Sequence, residues 1–504
     1  LKFTSTLIAL IFTASTAFGE LLPGDPSIGA VATPDGRLPS NSIIDIVPHG
    51  SNIWFGTGQG LGQLHLSDGS WSEIRQAQGI GQGGVSALCI TDSVIWAATA
   101  FSRKINDTYY PAGGGVGYSR DEGSTWTWMP QPIDSVDETR YNPTTTNVQN
   151  VTYDVALTDS AVWITSWGGG LRMLRYGSSE WELRTVDDST FAPLNNLRHV
   201  VFSTVWDGQS LWVGSAGGVH RTDNNGQNWA TYSYSPTSTS WISGNFVVAL
   251  GVQKVGAKKL IWAATWRANK ATEYYGVSVT EDDGLHWRVA LSDSTLLPNS
   301  RYLIDDYGPL RAHNFGFQDS TVYVCADGGL WIGENYGQTW DFSVSPVEEI
   351  SDLSTGERLS IPNFFSAAST GDSLWIGTDE GVALNDGSSW RIHRAYAPPG
   401  RNGEPLSYAY PSPFSPKRGD VTRLQFPLTA PTTVSFEIYD FAMEQVYKSA
   451  NFRLPGGGAG DMAGYGAIQW NGLSSENKGI ANGVYFYRVK ADGATYWGKV
   501  MVID

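Results

Sequence analysis

The feature that most constrains this 504-residue chain is a short strand-like phrase that recurs seven times. The copies are Ile53-Trp54-Phe55-Gly56-Thr57, Ile95-Trp96-Ala97-Ala98-Thr99, Val162-Trp163-Ile164-Thr165-Ser166, Leu211-Trp212-Val213-Gly214-Ser215, Ile261-Trp262-Ala263-Ala264-Thr265, Val322-Tyr323-Val324-Cys325-Ala326 and Leu374-Trp375-Ile376-Gly377-Thr378. Successive aromatics lie between 42 residues (Trp54 to Trp96) and 67 residues (Trp96 to Trp163) apart. Each copy follows an alternating strand and a polar turn, and precedes a glycine-rich turn and a third strand. A second tryptophan then closes every unit: Trp71, Trp126, Trp181, Trp229, Trp287, Trp340 and Trp390. A unit therefore reads as four short antiparallel strands, A to D, with the first aromatic on B and the second at the start of D. One twisted four-stranded sheet has two faces to cover, and stacking units around a closed ring covers both. The sequence thus predicts an all-β chain with a seven-bladed β-propeller over residues 41–396. The marker aromatics are expected between blades.

A second pattern precedes the closing tryptophan. Ser119 to Trp126 (SRDEGSTW), Thr222 to Trp229 (TDNNGQNW) and Thr280 to Trp287 (TEDDGLHW) share the form S/T-x-D/N-x-G-x-x-W. Asp121, Asn224 and Asp282 can accept N–H groups of their own turns, Gly123, Gly226 and Gly284 supply positive φ, and Trp126, Trp229 and Trp287 pin the turn to the sheet. These octapeptides resemble the Asp-box of bacterial neuraminidase (BNR) repeats, which implies structural turn-makers rather than catalytic carboxylates. The segment from Asp35 to Leu64 (DGRLPSNSIIDIVPHGSNIWFGTGQGLGQL) is similar to the propeller repeat in sensor domains of two-component regulators. That resemblance implies a seven-bladed sensor-type propeller. No kinase, DNA-binding module or membrane span accompanies it, so a signalling role does not carry over.

The two ends suggest export. Lys2, the apolar run Leu7–Phe12 and Ala17-Phe18-Gly19 have the layout of a secretory signal peptide over residues 1–19, followed by an extension over 20–40. A proline- and glycine-rich linker is expected at 397–406, and residues 407–504 alternate like a small immunoglobulin-like β-sandwich. Tyr410-Pro411-Ser412-Pro413-Phe414-Ser415-Pro416, Trp470-Asn471-Gly472, Asn482 to Tyr487 and Lys499 to Val502 occur there in order. Together they resemble the C-terminal sorting domain of type IX secretion substrates and the related domain of flagellar hook-capping proteins. Ser412 and Ser415 stand where that motif commonly has Asn. The resemblance implies the export machinery as a partner and a secreted or cell-surface destination. Two cysteines, Cys89 and Cys325, sit in separate apolar runs and read as buried thiols. A net charge of −16 argues against nucleic acid and anionic membranes as partners.

Chemistry-bearing clusters are sparse. The seven histidines are scattered without metal-ligand spacing, no nucleophile elbow occurs, and no catalytic residue, metal or cofactor is assigned. Asp305-Asp306 in YLIDDYGP is the first isolated place to look for a glycosidase carboxylate. Loop length is the better pointer, because loops on a rigid scaffold carry binding. Two B–C connections are expected to be long, in blades 2 and 5. The first carries Arg103, Lys104, Tyr109 and Tyr110, and the second Trp266, Arg267, Lys270, Tyr274 and Tyr275. Arg103, Tyr109, Tyr110, Trp266, Arg267, Tyr274 and Tyr275 are the candidate ligand-binding residues, with aromatic faces suited to sugar rings or a protein surface. The sequence favours recognition of a glycan or protein. An extracellular glycoside hydrolase or lyase on the same face, or a structural surface component, stand as alternatives.

Overall fold

Alternation of apolar and polar residues within each repeat produces seven four-stranded antiparallel sheets among the described residues. The computed structural model describes residues 38–105, 108–133, 146–235, 237, 240–267, 273–292, 310–340, 347, 350–353, 358–359, 363–394, 407–410, 412–418, 421–428, 432–454, 465–491 and 493–503. The expected signal peptide, the linker at 397–406, Lys270 and Asp305-Asp306 lie outside these residues. Blade 1 is built from Ile43–His49, Asn52–Thr57, Gly60–His65 and Trp71–Ile74, each strand pairing with the next in sequence. The other six repeat this order. The innermost strands of adjacent blades pack in succession around the ring, and Ile43–His49 meets Phe364–Thr370 of blade 7 to complete it. Among the described residues no helix is long and apolar enough to cross a membrane.

The repeated aromatics lie between blades, where their area is removed from water from both sides. Trp54, Trp163, Trp212 and Trp262 are all at most 1% exposed. Each strand-B ring meets the following blade's closing turn: Trp163 stands 6.5 Å from Trp229, Trp212 6.3 Å from Trp287, and Trp96 6.4 Å from Trp181. Edge-to-face geometry, with interplanar angles of 78–89°, sets the negative ring face against a positive edge. Ring closure uses the same device without exchanging a strand. Phe55 of blade 1 lies 5.7 Å from Trp375 of blade 7, and Trp71 lies 5.4 Å from His393.

The octapeptide turns hold themselves together by local hydrogen bonds. In blade 2, Gly123 N–H donates to Ser119 Oγ (2.8 Å), Thr125 N–H to Asp121 Oδ1 (2.8 Å), and Trp126 Nε1 to the Gly123 carbonyl (3.0 Å). In blade 5, Gly284 N–H reaches Thr280 Oγ1 (3.0 Å) and His286 N–H reaches Asp282 Oδ1 (2.8 Å). Blade 4 repeats the pattern with Asn224 accepting from Asn228 N–H at 3.0 Å. Gly123 has φ +86°, and a Cβ there would lie 2.7 Å from Trp54 of the preceding blade. Gly123→Ala is therefore expected to cost about 2–3 kcal/mol, from the left-handed backbone plus inter-blade overpacking. Gly69→Ala, with φ +73° but open space around it, is expected to cost only about 1 kcal/mol; paired denaturation curves check the difference.

Every innermost strand carries one extra residue near the end that faces the B–C turns. The skipped residues are Ile44, Ser86, Tyr153, Phe202, Val248, His313 and Phe365. Such bulges increase local twist and re-aim side chains. Four of them join a chain of six rings from blade 3 to blade 7: Tyr153–Phe202 (5.8 Å), Phe202–Phe246 (4.5 Å), Phe246–Trp266 (6.2 Å), Trp266–His313 (5.9 Å) and His313–Phe365 (5.3 Å). The residue after the bulge is Asp45 in blade 1 and Asp154 in blade 3. Asp154 accepts Val155 N–H and, from the neighbouring inner strand, Thr204 N–H, both at 2.8 Å. Both residues are half-buried overall, and burial of the carboxyl pushes each up to about 7.

The C-terminal region forms two facing sheets. One contains Tyr408–Tyr410, Thr422–Pro427 and Tyr465–Trp470; the other contains Thr432–Tyr439, Gln445–Lys448, Phe452–Leu454, Gly483–Ala491 and Ala494–Val502. Leu424, Phe426, Ile438, Tyr487 and Val500 fill the space between them. The proline-rich motif is bonded to the last strand: Phe414 N–H donates to the Met501 carbonyl (3.1 Å), and Ser412 Oγ accepts Met501 N–H (3.0 Å). Phe414 also packs 5.7 Å from Trp470.

Candidate ligand-binding face

The B–C turns and D–A connections share one face of the ring. On it, blade 2 departs from expectation. The long irregular loop anticipated there is a two-stranded arm, because strands Val94–Ile105 and Thr108–Ser119 continue to pair past the blade. Phe101 faces Ala112, Ser102 faces Pro111, Arg103 faces Tyr110 and Lys104 faces Tyr109. Arg103 and Tyr110 thus lie on one surface of the arm. At roughly 3.3 Å per residue, the run from Ala100 to Ile105 extends about 17 Å. The connection into blade 3 staples its base. Arg103 Nη1 donates to Asn147 Oδ1 (3.1 Å), Asn147 Nδ2 to the Gly113 carbonyl (3.1 Å), and Gln149 N–H to the Pro111 carbonyl (2.7 Å).

Blade 5 divides its candidates. Trp266 is the last residue of strand Lys258–Trp266 and is only 6% exposed. Its ring stacks on Phe246, and its Nε1 donates to the Ala312 carbonyl at 2.9 Å. The structure therefore places Trp266 in the ring wall and not on the surface, since it shares a sheet face with Trp262. Arg267 is exposed, and Tyr274 and Tyr275 are half-buried. Tyr274 lies 6.3 Å from Trp241, which lies 4.9 Å from Tyr234. Tyr234 and Trp241, from the connection entering blade 5, escaped sequence reasoning because SYSPTSTSWISGN has no strand period. The arm and this aromatic group stand on blades separated by two others, so the structure does not bring them together.

One cluster on a D–A connection resembles a hydrolytic triad in composition. Asp187, Ser189 and His199 lie within hydrogen-bond reach, but both oxygens converge on one ring nitrogen: Asp187 Oδ1 at 3.0 Å and Ser189 Oγ at 3.2 Å from Nε2. Nδ1 accepts Ala192 N–H at 2.9 Å, so Nε2 carries the proton and no basic nitrogen remains for the serine. Burial acts to raise Asp187, but hydrogen bonds from Asn196, His199 and Ser189 outweigh it and hold the carboxyl well below its ordinary range. The cluster is a loop clamp. Cys89 and Cys325 are free thiols, on blades 2 and 6, with Cys89 pushed up to about 12 by burial and next by Asp154.

The C-terminal sandwich reaches the same face. In strand Thr422–Pro427, Leu424 and Phe426 point into the sandwich core, which turns Arg423 outward. Arg423 is nevertheless 3% exposed, and its Nη1 lies 3.0 Å from Oε1 of Glu380 in the B–C turn of blade 7, also 3% exposed. That contact is an ion pair by distance, without a hydrogen bond aligned on the oxygen. Arg394 Nη2 approaches Glu380 Oε2 at 3.5 Å, and its Nε donates to the Glu380 carbonyl at 3.0 Å. Burial pushes the adjacent Asp379 up to about 7, opposed by Arg423.

No family model matches the chain, and no curated protein matches it. Among solved structures, it is similar to PorZ, a bacterial surface component of the type-IX secretion system of Porphyromonas gingivalis. The identity is 16% over 92% of this chain and 66% of that one, with a TM-score of 0.33. It is also similar to an ancestral GH74 enzyme, at 13% identity over 74% of this chain and 52% of that one, TM-score 0.45. A third is the WD40 β-propeller domain of Doa1, at 9% identity over 71% of this chain and 96% of that one, TM-score 0.38.

Proposed function

We propose that this chain is an exported, surface-located binding protein that recognises a glycan or a protein through the face carrying the blade 2 arm. The observation that carries the reading is the arm itself: two strands that go on pairing past the blade, with Arg103 opposite Tyr110. Aromatic faces stack on sugar rings or anchor protein contacts, and the adjacent guanidinium selects acidic groups. Arg267, Tyr274 and Tyr275 form the second contact region. The leader-like N-terminus and the sorting-type C-terminal motifs support export and a surface destination. Residues of the octapeptide turns lie on the opposite face and serve the scaffold.

A glycan array probed with the full chain tests this reading. Saturable binding is expected, weakened at least tenfold by Arg103→Ala with Tyr110→Ala and unchanged by Leu285→Ala, an exposed residue on the opposite face. A blank array overturns the glycan form and leaves a protein ligand. Release of shortened saccharides would point to a hydrolase or lyase instead.

A further inference from the structure

We infer that the B–C turn of blade 7 is a receptor for an arginine side chain, held closed in this chain by Arg423 of its own C-terminal sandwich. An outward-facing strand residue ordinarily meets water. Arg423 instead is buried and pairs with Glu380. Burying a guanidinium is costly unless an opposite charge meets it in a built site, and here the site is built. Glu380 is itself buried, Arg394 fixes its backbone carbonyl and second oxygen, and Asp379 adjoins it. The further charged groups nearby, Asp327 with Arg311 and His313, pair among themselves at 3.8 and 2.6 Å. Charge along the chain is lopsided in the same sense. Residues 407–504 hold 9 of the 33 Lys and Arg and 8 of the 49 Asp and Glu, a net of +1, which leaves −17 before them.

The sandwich is therefore a seated cap on part of the ligand-binding face and not a freely tethered tail. Its departure uncovers Asp379 and Glu380 and exchanges one guanidinium for another: the vacated turn takes an arginine-bearing peptide segment. The docking itself stands whether or not the arm binds a glycan.

The test uses the full chain with a site-specific protease sequence placed between residues 397 and 406, cut after purification and followed by size exclusion. The two pieces of the wild-type chain are expected to stay together in low salt. Glu380→Gln, in the propeller, and Arg423→Gln, in the sandwich, are each expected to weaken retention at least a hundredfold. Because the two changes lie in different folding units, misfolding of one piece does not account for both. Arginine methyl ester should release the sandwich more effectively than sodium chloride at matched ionic strength. Wild-type pieces that part freely, or a Glu380→Gln chain that stays together as firmly as wild type, would overturn the docking. Equal release by salt and by the ester would overturn the arginine receptor.

Discussion

Trp375→Ala is expected to destabilise the protein by about 3–5 kcal/mol, the cost of removing a large aromatic from a well-packed site. Trp375 is 2% exposed and lies between blade 7 and blade 1, 5.7 Å from Phe55. Its indole Nε1 donates to Thr370 Oγ1 at 3.1 Å. The closure carries no exchanged strand, since all four strands of blade 1 precede those of blade 7 in the chain. Side-chain packing seals it around Ile43, Ile53, Phe55, Ala368 and Trp375. Amide exchange should therefore accelerate first in blades 1 and 7. Trp163→Ala, at an interface inside the chain's own succession of blades, should lose comparable stability without that localisation. Uniform acceleration around the ring in both variants would contradict a closure sealed by this packing.

Asp154→Asn is expected to flatten the loss of stability that the wild-type protein shows between pH 4 and pH 8. The native carboxyl is pushed from 3.8 to about 7 by burial, so between these values the folded chain holds a proton that the unfolded chain has released. Stability contributed by the group is full below about pH 4 and is lost as pH rises towards 7. At about 1.4 kcal/mol per pH unit, that amounts to an effect on the order of 2–4 kcal/mol. Asp45 and Asp379 act in the same window and direction. Buried His220, whose burial depresses it to about 3, acts oppositely, gaining stability as pH rises towards 6.5. The difference between wild type and Asp154→Asn isolates one group from the others. Asparagine can keep the bond from Val155 N–H, as Asn314 after the blade 6 bulge accepts Phe315 N–H at 2.8 Å. Its amide nitrogen cannot accept Thr204 N–H, so the variant starts lower and the two slopes against pH are what is compared. Parallel stability curves for wild type and variant from pH 4 to pH 8 would refute the assignment.

How far the sequence showed the fold follows from which interactions repeat. The inter-blade aromatics recur in every unit because every interface poses the same packing problem, and one chain suffices to display them. Polar breaks inside apolar strands, Asp45 in IIDIV and Asp154 in TYDVA, also marked the bulges, although a run of alternation alone does not distinguish a bulge from an ordinary outward position. Burial of Trp266 was legible from its spacing of four from Trp262, which puts both on one face of a sheet covered on both sides. The blade 2 arm was harder to see. Its strands pair without a regular apolar alternation between Phe101 and Ala112, so the segment reads as loop. Arg423 was illegible, because local alternation assigns it to solvent and only another unit of the chain buries it.

The arm is where we propose that recognition lies, so its removal is the most direct measurement. Replacing Ser102–Pro111 by Asn-Gly keeps Phe101 opposite Ala112 and closes the hairpin with a two-residue turn. Binding of the full-length variant to the array-identified ligand should fall at least a hundredfold, with the melting transition close to that of wild type. A trimmed chain that melts normally and binds as tightly as the parent would show that recognition lies elsewhere on the protein.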